Sequence, residues 1–150
     1  MFSPMTGASE FITMKDSLNF LKNGQVVYCM EKDGGACNNC TKCFRRAVIR
    51  SVVDDDTPKI DLEIYNTELI HSFLEKRPLY FGHIFSYARQ KIELPKWILN
   101  RIEDVQTIQT DWPMKLHPNI YQFVCSPWKE IIEKRMTSIH ESMSDIELQE

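Results

Sequence analysis

Glycine is scarce in this 150-residue chain, at five positions, and no glycine-rich loop of the kind that cradles a phosphate can be read from them. Histidine is scarcer still. His71, His83, His117 and His140 are scattered singly, and no Ser/His/Asp or Cys/His grouping is legible, so no enzyme is expected. No stretch resembles a secretory signal or a membrane span, which argues against a disulfide framework and for a reducing compartment. Excess positive charge is lacking too. The net charge of −3 argues against nucleic-acid binding over the whole surface, which draws its affinity from many Lys and Arg contacts, so any such contact must be local.

Apolar residues are plentiful. At 43% hydrophobic content the chain can bury one core of ordinary size, and its length is that of one domain. Cysteine is distributed unevenly. Cys29, Cys37, Cys40 and Cys43 fall within fifteen residues, with Gly34, Gly35, Asn38 and Asn39 between them to make tight turns. Four thiolates complete the tetrahedral shell of a structural Zn2+. Two alternatives stay open: part of an iron–sulfur ligand set, suggested by C-x2-C-x2-C, and unpaired thiols without metal. His71 or His83 can substitute as a fourth ligand, although nothing in their spacing asks for it. Cys125, in the apolar stretch Ile120 to Cys125, reads as a small core residue.

Residues 1–13 show no period and read as a flexible lead-in. Lys15 to Lys22 predicts a short helix stopped by Asn23-Gly24, and Gln25 to Cys29 a strand delivering the first cysteine. Arg45 to Val53 and Lys59 to Tyr65 predict a hairpin turning over Asp54 to Pro58. In its return strand Ile60, Leu62 and Ile64 share one face while Lys59, Asp61, Glu63 and Tyr65 share the other. Asn66 would cap a helix over Thr67 to Glu75, and Leu79 to Tyr87 reads as a further strand. Pro95 would open a helix carrying Trp97, Ile98, Ile102 and Val105, and Ile120 to Cys125 supplies a last strand. Ser126-Pro127 opens a final amphipathic helix with Trp128, Ile132, Met136, Ile139 and Met143 in one stripe. That stripe either packs on its own domain or joins helices of partner subunits. The expected organisation is a lead-in over 1–13, one domain over 14–143 and a frayed tail over 144–150.

The cysteine cluster, Arg45 to Val53, Ile60 to Leu74 and the ending Phe123 to Met136 together resemble zinc-ribbon OB-fold domains, typified by the C-terminal domain of the replication protein A large subunit. Related meiotic, telomeric and shieldin-type subunits share the pattern. The resemblance implies a mostly-β barrel with an inserted zinc ribbon, a short helix between barrel strands and a closing helix. It also implies a nuclear subunit of a DNA-maintenance complex, serving replication, repair, meiosis or telomeres. Carried over by position, Tyr65 is the aromatic that stacks on a base. The second platform of the family is matched here by Asp61, which removes about 1–3 kcal/mol of stacking.

Lys42, Arg45, Arg46 and Arg50 are the cationic candidates beside Tyr65, with Arg89 and Lys91 on the later strand. The plainer reading pairs Arg46 and Arg50 with Asp61 and Glu63 across the hairpin in solvated ion pairs of a few tenths of a kcal/mol. Three functional readings follow. The first is assembly with partner subunits through the closing helix, with single-stranded DNA contact as a secondary role. The second is a single-stranded DNA-binding module, and the third a zinc-stabilised protein-interaction domain unrelated to DNA.

Overall fold

Cys40 is the N-cap of a helix that takes in Cys43 and the segment from Arg45, where the sequence pattern predicts a strand. The computed structural model describes residues 8–20, 37–54 and 60–149. Six α-helices lie in this part of the chain: α1 (Glu10–Phe20), α2 (Thr41–Val53), α3 (Glu68–Leu74), α4 (Gly82–Lys91), α5 (Lys96–Leu99) and α6 (Ser126–Thr137). Short 3-10 helices cover Leu62–Tyr65, Trp112–Met114, Pro118–Phe123 and Glu147–Gln149. Among the described residues there is no strand, only an isolated parallel bridge between Leu116 and Ser142. No helix among them is long and apolar enough to cross a membrane.

The mostly-β OB-fold barrel is therefore overturned, and the resemblance to zinc-ribbon OB-fold domains goes with it. The segment Arg45 to Val53 lies in α2 because Phe44, Ala47 and Val48 recur at helical spacing and are all buried. Its β-branched residues cost at most about 0.7 kcal/mol each in a helix, whereas burying Phe44 or Val48 returns roughly 1.5–3 kcal/mol. The return strand of the hairpin is a 3-10 turn that buries Leu62 and Tyr65, three residues apart, and leaves Ile64 exposed. The turn residues 55–59 lie outside the described residues. Leu79 to Tyr87 runs into α4, where the consecutive residues Ile84 to Ala88 are all buried and the alternation of a strand is missing. The last predicted strand is the 3-10 helix Pro118–Phe123, and Cys125, read as core, is exposed at the N-cap of α6. The predicted strand Gln25 to Cys29 lies outside the described residues.

The chain divides into two compact units: residues 14–107, and residues 1–13 with 108–150. In the first, α2 packs against α3, α4 and the Leu62–Tyr65 turn. Phe44, fully buried, is its centre. The ring lies 5.6 Å from Tyr65, 5.5 Å from Phe85 and 5.8 Å from Trp97, separations at which aromatic pairs attract. The chain after α3 is pinned by Arg77, whose guanidinium donates to the carbonyls of Leu74, Lys76 and Arg101 and to the Asp104 carboxylate. That contact holds the Asp104 carboxyl below its ordinary range.

In the second unit, Ile12, Leu116, Ile120, Tyr121, Val124 and Met136 form the core, with Ile132 packed against it. Ser9 caps α1 by accepting from the amides of Phe11 and Ile12, both fully buried, within the span assigned from sequence to the lead-in. The chain after α6 returns to Leu116. The Leu116 amide donates to the Glu141 carbonyl at 2.8 Å, and the Met143 amide donates to the Leu116 carbonyl at 2.9 Å. Glu147, in the span assigned to the tail, is buried. Its carboxylate accepts from the Ser144 amide at 2.8 Å and meets Lys115 Nζ at 2.9 Å. The Ser144 amide and then Lys115 hold its carboxyl below the usual range.

Candidate metal centre

Three sulfurs converge where the cysteine loop enters α2. Cys40 is the N-cap and Cys43 lies in the first turn, so the i, i+3 geometry of a helix start brings both to one side. Asn38 takes the left-handed conformation, φ 55°, which turns the chain so that Cys37 joins them. Asparagine tolerates that conformation better than most residues do. The Cys37, Cys40 and Cys43 sulfurs all lie within 4.8 Å of one another, and Cys37 and Cys43 are 3.7 Å apart. A tetrahedral metal–thiolate centre with bonds of about 2.3 Å places its sulfurs about 3.8 Å apart. The geometry fits, and these cysteines can hold a metal ion.

The surrounding backbone suits anionic sulfur. The Asn39 amide donates to Cys37 Sγ at 3.5 Å, and the Cys43 amide donates to Cys40 Sγ at 3.4 Å. The positive end of α2 faces the same sulfurs, which favours bound negative charge. Cys43 is buried, while Cys37 and Cys40 are half-buried. The loop is tied to the aromatic core by the Tyr65 hydroxyl, which donates to Asn38 Oδ1 at 3.3 Å. Cys29, expected as the fourth thiolate, lies outside the described residues. Among the described residues the ligand group consists of the three cysteines, without His71 or His83. His71 instead packs its ring on Trp97, 5.6 Å between centroids, and meets Asn66 Oδ1 at 2.6 Å.

The residues expected to form a DNA groove are differently placed. Tyr65 is only 3% exposed and offers no face to a base. Arg45 lies over the Phe81 ring, 3.5 Å from its centroid. Arg50 pairs with Asp54 one turn on, at 3.0 Å, rather than across a hairpin, and Asp61 caps the Leu62–Tyr65 turn by accepting from the Glu63 amide. Arg89 donates to the Val105 carbonyl and to the Thr107 hydroxyl, while Lys91 lies over Tyr87. Lys42 and Arg46 are half-buried on α2.

The residues of the expected partner stripe differ in burial. Ile132 and Met136 turn into the core, Met143 is half-buried, and Trp128 and Ile139 face outward. Ile131, which the sequence reading passed over, is 61% exposed beside Trp128 at 60%. Its i+3 spacing from Trp128 was the signal available.

The class defined by these observations is a helical protein with a three-cysteine group suited to a metal ion. The chain belongs to the family of unknown function DUF6395, whose profile matches residues 1–150. No curated protein and no solved structure matches it.

Proposed function

We propose that the chain is a zinc-stabilised, non-catalytic protein-interaction module. The observation that carries the metal reading is the 3.7 Å separation of Cys37 and Cys43 within a three-sulfur group in which Cys37 and Cys40 accept backbone N–H bonds. Thiolate ligands and tetrahedral spacing favour zinc, and Cys29 is the natural fourth ligand. A shell closed by four thiolates has no open position for water or substrate, so the metal acts on folding rather than on a reaction. Zinc fixes the start of α2, and α2 carries Phe44 into the aromatic core. The interaction reading is supported by the outward Trp128 and Ile131 on α6.

Cobalt substitution tests the ligand set. The cobalt-loaded chain should show sulfur-to-metal charge transfer and tetrahedral ligand-field bands. Cys29→Ser and Cys40→Ser should each weaken them, while Cys125→Ser should leave them intact. Bands unchanged by Cys40→Ser would sink the assignment.

A further inference from the structure

The apolar surface of helix α6 is only partly covered. Ile132 and Met136 fill the core of their unit. Flanking them on the uncovered surface, Trp128 and Ile131 stand outward one turn apart, and Lys134 and Arg135, three and four residues beyond Ile131, are exposed as well. This surface is apolar with a basic end.

The segment after α6 presents the complement. Glu147 turns inward to Lys115 and Ser144 and fixes the turn at residues 144–149. With that residue inward, Ile146 stands 76% exposed and Leu148 42% exposed, next to the exposed Asp145. An apolar pair with an acidic neighbour is thus held on the same unit as an apolar pair with basic neighbours. Neither set covers the other within one chain, because Trp128, Ile131 and Ile146 all remain open.

We infer that a second copy of this chain is the occupant: the Ile146 and Leu148 turn of each copy docks on the Trp128 and Ile131 face of the other. Both patches belong to every copy, and a two-fold axis that makes both contacts at once closes the assembly as a dimer. Asp145 then meets Lys134 or Arg135 at the rim, where opposite charges set register and salt dependence more than affinity. This inference rests on the reading of the chain as an interaction module and names its partner.

Sedimentation velocity on the full chain, at concentrations up to about 0.1 mM, tests it. Reductant is kept present so that the exposed Cys125 forms no cross-link. A reversible dimer is expected. Ile146→Asp and Trp128→Ala should each weaken it by about tenfold or more. Lys134→Glu should also weaken it, and Asp145→Lys added to that variant should restore it. Circular dichroism should show all variants folded, since the altered side chains are exposed. A monomer throughout, or a dimer indifferent to both Ile146→Asp and Trp128→Ala, would overturn the inference. Metal content separates the two readings: a zinc-loaded monomer overturns this surface alone. A dimer sensitive to Ile146→Asp in a chain that binds no metal supports the surface and counts against the zinc module.

Discussion

The Tyr65 hydroxyl donates to the side-chain oxygen of Asn38 at 3.3 Å, joining the loop that carries Cys37 and Cys40 to the ring cluster around Phe44. Tyr65 is buried, so the bond is shielded from water at the hydroxyl end. The distance is long for a hydroxyl donor, which places its contribution at the lower end of the usual range.

Tyr65→Phe keeps the ring and removes the bond. Stability should fall by about 0.5–1 kcal/mol in denaturant unfolding, and zinc affinity should fall severalfold in a chelator competition. Unchanged affinity would show that the metal alone holds the loop.

Phe44→Ala removes the ring shared by Tyr65, Phe85 and Trp97. The expected loss is about 3–5 kcal/mol, as for other large cavities in a core. Because Cys43 precedes Phe44 on α2, metal affinity should drop in the same variant. A loss below about 1 kcal/mol would contradict the central place given to this ring.

Glu147 supplies a pH dependence with a definite sign. The Ser144 amide and Lys115 hold its carboxyl below the ordinary value, so its contribution is present above the ordinary carboxylate range. That contribution is lost as pH falls through the depressed folded value. Lys115 is raised chiefly by Glu147, so its contribution is complete below the ordinary lysine range and is lost as pH rises through the raised value. Glu147→Gln should therefore lower the unfolding midpoint at neutral pH, and its difference from the unmodified chain should shrink in acid. A difference independent of pH would show that shape, not charge, is what Glu147 provides.

The elements legible from sequence are those with strong punctuation. Thr67 to Glu75 contains α3 because Ile70 and Leu74 repeat at helical spacing, and Ser126-Pro127 announces α6 through a proline in its first turn. The three cysteines were equally legible, because their spacing is local and a helix start brings such positions together. The failures have a common cause. Val48, Ile49, Val52 and Val53 look like strand residues, but their β-branching is a weak preference that the burial of Phe44, Ala47 and Val48 overrides. Between Ile60 and Tyr65, alternation coincided with a three-residue turn, and the buried pair Leu62 and Tyr65 decided the outcome. Tyr65 then served the core instead of a groove. The outward position of Ile131 depends on which side of α6 meets Leu116 and Tyr121, a tertiary choice with no local signature.

Metal content tests the zinc centre most directly. The reduced chain, purified without chelator, is measured by elemental mass spectrometry and then melted before and after chelation. About one zinc per chain is expected, with a lower, less cooperative melt once the metal is removed. A chain free of metal with the same helix content, and a melt unaffected by chelator, would contradict it.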